Sequence, residues 1–405
     1  MGKKILIVSS SLDHGGAQKI ISNITTHLPD DWDIDILINS DQNIKFPYEG
    51  RIISLGIKEP KSRMSLVYQG KVLVKRLRVL RRLKKKNRYA ACISFLDSAN
   101  VANILTGNTY CKVIINIVIN MSVATQNEPI NRYIINPLTK LLYNRADKII
   151  TVSEDVKQDM ISHFGIKTDR IKAIYTSVTT DQIEEKINKL VNEQNEENEQ
   201  IFSKKYTVIT AGRLEKQKGQ WHLIRAFHKV VKKIPEAKLV IFGEGSLKEY
   251  LERLISDYNL ENNVFLYGFS NEYEKYVAES ALFVFPSLYE GFGTALQEAM
   301  VCGIACMATD YISGAREMLS PEYHEKINGF YKGEYGIITE CCSENMLEAA
   351  DELEHAEKCL ADAILEILEN DGLREEYAIK AKARSQIYDV DEICKQWIHV
   401  IEDMD

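Results

Sequence analysis

The stretch Phe285-Pro-Ser-Leu-Tyr-Glu290-Gly-Phe-Gly-Thr294-Ala-Leu-Gln-Glu298 constrains the fold of this chain more than any other. The apolar run from Ala281 to Phe285 reads as a short strand, which Pro286 ends. A glycine-rich turn follows, and Thr294 with Gln297 predicts a capping box that starts a helix. Glu290 then lies before the helix and Glu298 one turn inside it. Gly291 and Gly293 carry no side chains, so backbone N–H groups and the positive end of the helix dipole lie open to an anionic or hydroxyl-rich ligand. The same local pattern also suits an ordinary strand-loop-helix joint whose glutamates face water.

The rest of the chain repeats the strand-to-helix handover. Strands are expected at Lys4–Ser9, Asp33–Ile38, Ala91–Phe95, Val113–Ile119 and Lys148–Val152, alternating with helices as a doubly wound parallel sheet requires. The first helix follows Gly15-Gly16 and shows Ile20, Ile21, Ile24 and Leu28 on one face. A second set of strands is expected at Tyr206–Gly212, Leu239–Phe242, Val264–Tyr267, Ala281–Phe285, Ile304–Ala308 and Gly336–Thr339, with helices from Ser343 onward. Between them, residues 181–205 are polar and acidic and read as a short helix plus a surface linker. The expected organisation is therefore a domain over 1–180, a linker over 181–205 and a domain over 206–384. A length of 405 residues agrees with two cores rather than one.

The strand Tyr206–Gly212 leads into Arg213-Leu-Glu-Lys216-Gln-Lys218-Gly219, then a helix with Leu223, Ile224, Phe227, Val230 and Val231. In parallel α/β sheets ligands bind outside the carboxyl ends of the strands, so Arg213 and Lys218 are placed to face a ligand. Arg can hold two phosphate oxygens at once, and Lys supplies a mobile point charge. Solvated loop cations are common singly, but a Gly-Arg-x4-Lys-Gly loop with a downstream E-x7-E is harder to obtain by chance.

On these motifs, with Val240-Ile-Phe-Gly243-Glu-Gly245, Phe265-Leu-Tyr-Gly268 and Ala308-Thr-Asp310 to Glu317, the sequence resembles glycosyltransferase family 4, the retaining sugar-nucleotide-dependent type. The resemblance implies a GT-B fold: α/β, with two Rossmann-like doubly wound parallel-sheet domains facing a cleft, and a C-terminal helix of about 385–405, around Trp397, packed back on the first domain. It implies that Arg213 and Lys218 bind the donor diphosphate and that Glu290, with Gly291, Phe292 and Gly293, holds the sugar hydroxyls. Glu298 would bind the ribose, Gly16 would admit the phosphates, and Gly243 and Thr294 would complete the donor site. Glu290, Arg213 and Lys218 are the catalytic candidates, with Glu290 expected to bind hydroxyls rather than form a covalent intermediate. On the acceptor side, His14 and Asn120 are candidates. Residues 113–131 lack the His, Lys or Arg that many relatives carry there, and Asn120 or Asn127 could substitute.

The implied chemistry is transfer of a hexose or N-acetylhexosamine from a nucleotide sugar, by default a UDP-sugar with GDP-mannose as competitor, with retention at the anomeric carbon. Cationic side chains and helix amides would stabilise the leaving diphosphate in place of a metal, so no cofactor or metal is expected. The pairs Asp33-Ile-Asp35 and Asp389-Val-Asp391 have the DxD form of metal-dependent transferases but lie on an N-terminal strand and in the tail, where they read as incidental. The segment Ala308–Glu317 is similar to the capsular-type branch, which implies a lipid-linked glycan acceptor in bacterial surface polysaccharide synthesis. A soluble protein or glucan acceptor, or a non-catalytic scaffold, are the other readings.

Charge divides the chain. Residues 1–180 hold 27 Lys+Arg and 15 Asp+Glu, a net +12 that leaves −19 for the remainder of the −7 total. Much of the excess lies in Lys71–Arg88, with ten basic residues in eighteen and Leu73, Leu77 and Leu80 at helical spacing. Such a helix suits an anionic membrane surface through Lys75, Arg78, Arg81, Arg82 and Lys85, or packs its leucines on the sheet while its cations face water. Nucleic acid ranks lower, for no recognisable nucleic-acid module is present. No apolar run approaches a membrane span and no signal peptide is visible, so a cytoplasmic, peripheral location at the inner face of the cell membrane is expected. The eight cysteines lack CxxC pairs and read as reduced core thiols.

Overall fold

The computed structural model describes residues 2–13, 15–57, 66–124, 136–190, 201–311 and 313–403. The chain forms two compact units, Met1–Ser177 with Tyr388–Asp405, and Val178–Ile387. The first contains a parallel sheet of β1 (Lys4–Val8), β2 (Asp33–Ile38), β3 (Arg51–Ser54), β4 (Ala91–Phe95), β5 (Lys112–Ile117), β6 (Lys148–Thr151) and β7 (Ile171–Ala173), in the order β3-β2-β1-β4-β5-β6-β7. The second contains β8 (Thr207–Ala211), β9 (Lys238–Phe242), β10 (Val264–Gly268), β11 (Leu282–Phe285), β12 (Ala305–Thr309), β13 (Phe330–Lys332) and β14 (Ile337–Thr339), in the order β10-β9-β8-β11-β12-β14-β13. All its pairs are parallel except β13 with β14.

Burial on both faces explains why these strands carry continuous apolar runs rather than alternation. Leu282 to Phe285 and Ile5 to Val8 are almost wholly inaccessible. Strand order reverses between β1 and β4 in the first sheet and between β8 and β11 in the second. At such a reversal the crossover helices leave on opposite faces, and a crevice opens beyond the strand carboxyl ends.

The first unit takes its final helix, Val390–Glu402, from the end of the chain. That helix packs on Gly16–His27, where the Cys394 thiol donates to the Asn23 carbonyl, and Trp397 lies 6.3 Å from Phe95. Ile20, Ile21, Ile24 and Leu28 form the predicted buried face. The helix Thr180–Leu190, which opens the polar 181–205 segment, belongs to the second unit and packs on Tyr273–Ala278. Two expectations need correction. Residues 343–354 are not helical, the first helix after β14 being His355–Glu369. The helix after Gly293 also lacks the capping box, because Gly293 itself is the N-cap and Thr294 the first helical residue, with no side-chain cap.

The non-helical 343–354 segment is tied down by a buried charge cluster. Glu357 accepts from Arg225 Nε at 2.8 Å and lies 2.7 Å from His222 Nδ1, with all three side chains inaccessible. Arg225 further donates to the Glu348, Asp351 and Glu352 carbonyls, and His222 Nε2 to the Ser343 carbonyl. Burial alone would raise the Glu357 carboxyl, but the bonds from His222 and Arg225 outweigh it and hold the group below its ordinary 4.5. A depressed carboxyl contributes stability that is complete above the ordinary value and is lost as pH falls through the folded one. The melting temperature should therefore drop as pH is taken below about 4.5. Glu357→Ala, which strands the buried Arg225 guanidinium and removes a partner of His222, should cost about 3–5 kcal/mol at neutral pH in denaturant titrations and lose that acid sensitivity.

Candidate active site

The loops after β8 and β11 leave adjacent strands at the reversal of the second sheet, paired through Val208 with Leu282 and Ile209 with Phe283. The Leu288 N–H donates to the Gln217 carbonyl at 2.8 Å, joining the two loops directly. Lys218 Nζ lies 2.5 Å from Glu290 Oε1, and Ser287 Oγ donates to the same oxygen at 2.8 Å. Gln217 Nε2 donates to the Tyr289 carbonyl at 2.8 Å and to Glu290 Oε2 at 3.2 Å. Lys218 also stands 4.8 Å from the Phe285 ring centroid, a cation–π contact. Arg213 is exposed, and its guanidinium makes no hydrogen bond or ion pair with a described residue. Gln220 Nε2 fixes its carbonyl at 3.0 Å.

The glycine-rich turn is held from behind. Tyr311 Oη donates to the Phe292 carbonyl at 2.9 Å and Ser313 Oγ to the Gly291 carbonyl at 3.0 Å. Gly293 has φ 112°, and a Cβ there would lie 2.5 Å from Tyr311 Oη. Only glycine closes this turn before the helix Thr294–Val301, whose N-terminus adds positive potential. Glu298, on that helix, is buried and accepts a short bond from Tyr273 Oη. Burial first, and then the charges of Glu298 and Glu274, push the Tyr273 hydroxyl well up, so it stays a donor. Glu274 is raised by burial and by Glu298, and its partner Lys186 lies 2.6 Å away.

Gly243 follows β9 with φ 137°, and a Cβ there would fall 2.0 Å from the Gly212 carbonyl, so close backbone packing requires it. Gly16 opens the helix Gly16–His27 in the other unit, and nothing lies within 4 Å of an added Cβ. His14 lies outside the described residues, as does Asn127. Asn120 is engaged structurally: its Oδ1 accepts from Ser122 Oγ at 3.1 Å and the Val123 N–H at 3.2 Å, capping the turn Met121–Ala124.

Both DxD pairs are occupied by the fold. Asp35 is buried under Arg51 at 2.8 Å and 2.9 Å and the Tyr89 hydroxyl at 2.5 Å, while Asp389 caps the helix Val390–Glu402. The sequence motifs assign no role to Tyr273, Gln217, Ser287 or the bidentate Arg316–Asp310 pair at 2.5–2.6 Å. Gln217 and Ser287 flank residues of the recognised pattern, and their proximity to Lys218 and Glu290 was the available signal. Tyr273 is distant in sequence from Glu298 and gave none.

In the first unit, Lys75, Arg78, Arg81, Arg82 and Lys85 are all exposed on the helix Leu66–Asn87. Two neighbours are not. Arg76 is buried and donates to Ser98 Oγ and Asn39 Oδ1, both at 2.8 Å, and burial pushes its guanidinium down to about 10. Lys84 is buried and donates at 3.0 Å to the Asn103 and Gly107 carbonyls, closing the C-terminal end of the helix Asp97–Leu105. Leu80 lies in the core, with Leu73 and Leu77 packed against it.

Comparison with known proteins gives two family matches: Glycosyltransferase Family 4 over residues 14–182 and Glycosyl transferases group 1 over residues 191–358. An uncharacterized glycosyltransferase of Methanocaldococcus jannaschii is 32% identical over 360 residues, covering 84% of this chain and 86% of that one. The chain belongs to glycosyltransferase family 4. This family 4 transferase is also 28% identical, over 96% of both chains, to the N-acetylgalactosamine-N,N'-diacetylbacillosaminyl-diphospho-undecaprenol 4-alpha-N-acetylgalactosaminyltransferase of Campylobacter jejuni. Its fold is GT-B, shared with Anabaena HepE in complex with UDP (TM-score 0.73, 20% identity, 99% and 100% of the chains) and with sucrose-phosphate synthase of Thermosynechococcus elongatus (TM-score 0.74, 17% identity, 99% of each).

Two glycine substitutions separate a backbone that requires glycine from one that has room for a Cβ. Gly293→Ala should destabilise the protein by about 1–3 kcal/mol in denaturant titrations, because φ and Tyr311 both oppose a Cβ. Gly16→Ala should change stability by less than about 0.5 kcal/mol, since space is open there.

Proposed function

We propose that this transferase moves a hexose or N-acetylhexosamine from a nucleotide sugar, a UDP-sugar in the first instance, to a lipid-linked oligosaccharide in bacterial surface polysaccharide synthesis. The observation that carries the donor reading is the meeting of Lys218 and Glu290 at the reversal of strand order, with the exposed Arg213 on the same loop as Lys218. Departure of the nucleoside diphosphate develops negative charge, which Arg213, Lys218 and the N-terminus of Thr294–Val301 stabilise without a divalent metal. The leaving phosphate oxygen takes the acceptor proton in a front-side reaction that retains the anomeric configuration. In this reading Glu290, Gly291 and Phe292 hold the sugar hydroxyls, Glu298 binds the ribose with Tyr273 fixing its carboxylate, and Gly16 admits the phosphates. His14 and Asn120, the latter through its amide nitrogen, are the acceptor-side candidates.

The acceptor reading is supported by the Campylobacter relative, whose acceptor is diphospho-undecaprenol-linked and which aligns over nearly its whole length. The exposed cations of Leu66–Asn87 supply the membrane contact, each contributing about 1 kcal/mol near an anionic surface. A polymer acceptor is favoured instead by the poly(glycerol-phosphate) alpha-glucosyltransferase of Bacillus subtilis, 29% identical over half of this chain.

Calorimetric titration with UDP-, GDP-, ADP- and dTDP-sugars should single out one nucleotide class. Arg213→Ala should weaken that ligand by about tenfold or more, as expected for a charge-assisted bond. No binding to any of the four by folded protein would remove the donor-site assignment. Glu substitutions at Arg78, Arg81, Arg82 and Lys85 should abolish co-sedimentation with phosphatidylserine vesicles, whereas wild type that stays in the supernatant favours the polymer acceptor.

A further inference from the structure

The cation that the donor reading assigns to phosphate is already compensated within the protein. Lys218 and Glu290 form a 2.5 Å ion pair in which the side chains are only 16% and 10% exposed. The carboxylate is fixed by donors from both loops, Lys218 and Gln217 on one and Ser287 on the other. Arg213, by contrast, is exposed and makes no ion pair with a described residue. A diphosphate arriving here meets one uncompensated side-chain cation rather than two.

We infer that Glu290 governs diphosphate affinity by holding Lys218 in an ion pair, with Gln217 and Ser287 as positioning residues, so that the bare nucleoside diphosphate binds less tightly than the intact donor. The inference rests on the donor-site reading. Any phosphate oxygen that Lys218 contacts lies within a few ångströms of the Glu290 carboxylate, and like charges at that range repel. The intact nucleotide sugar brings hydroxyl donors that spread the carboxylate charge, and so relieve the repulsion. The product diphosphate has lost the sugar and brings no such donors. One carboxylate thus discriminates donor from product by an unfavourable element directed at the product, which favours release after transfer.

The pair predicts a sign pattern that direct phosphate binding by Lys218 does not. Full-length wild type, Glu290→Gln, Lys218→Met and the double variant are titrated with UDP, and with GDP, ADP and dTDP to fix the nucleotide; melting curves verify folding. Glu290→Gln should bind the diphosphate about tenfold more tightly, a change of about 1.4 kcal/mol. Its preference for the nucleotide sugar over the diphosphate should fall. Lys218→Met, which leaves the carboxylate facing phosphate, should bind about tenfold more weakly, and the double variant should return to within about threefold of wild type. A double variant as weak as Lys218→Met, or a folded Glu290→Gln no tighter than wild type, overturns the inference and leaves the donor site standing. Wild type that binds none of the four diphosphates overturns the donor-site reading, and the inference with it. The double variant removes both charges together, so its affinity tests the inference even where Glu290→Gln alone does not fold.

Discussion

The pairing of β8 with β11 is the constraint on which the rest of the second unit depends. These strands are far apart in sequence, and only the reversal of strand order makes them neighbours. Their carboxyl ends deliver a cationic loop and an acidic turn to one place, and the Leu288 to Gln217 backbone bond locks them there. Lys218, Glu290, Ser287 and Gln217 can then share one small volume. The buried cluster of His222, Arg225 and Glu357 holds the helix that follows the cationic loop, so a costly internal charge arrangement fixes the base of the site.

Much of this was legible in the sequence because buried parallel strands are continuous apolar runs. Lys4–Val8, Asp33–Ile38, Ala91–Phe95, Lys238–Phe242 and Leu282–Phe285 lie where apolar runs end in glycine, proline or polar residues. Three strands, β3, β7 and β13, escaped. Each has only three or four residues, and each lies at a sheet edge, where β3 and β13 are half-exposed and carry no apolar run. The capping box failed for a different reason. Thr294 had the right spacing, but the tertiary position of Tyr311 behind Gly293 demands a left-handed residue one place earlier, and that residue becomes the cap. Glu298 was legible through its motif, whereas Tyr273 depends on a helix whose packing no local pattern encodes.

The basic helix shows where charge counting stops being informative. Ten cations in eighteen residues suggest a uniformly solvated face, yet Arg76 and Lys84 turn inward. Arg76 bridges Asn39 beyond β2 and Ser98 beyond β4 through neutral acceptors, and Lys84 closes the end of a neighbouring helix. The fold thus uses two of these residues as internal fasteners and leaves the others at the surface. Helical spacing separates the two groups where composition does not: Arg76 and Lys84 lie four residues to either side of Leu80, on the leucine stripe, whereas Lys75, Arg78, Arg82 and Lys85 fall on the opposite side.

The division of the chain into units also sets an order of assembly. The second unit is one continuous segment, Val178–Ile387, and holds all of its core before the last residues are made. The first unit is not continuous, since Trp397 and Cys394 complete the packing around Phe95 and Asn23. During synthesis the earlier-made unit must wait, its helix Gly16–His27 uncovered, until the final helix leaves the ribosome. The later-made unit can close first, so the half that is made earliest is the last to complete its core.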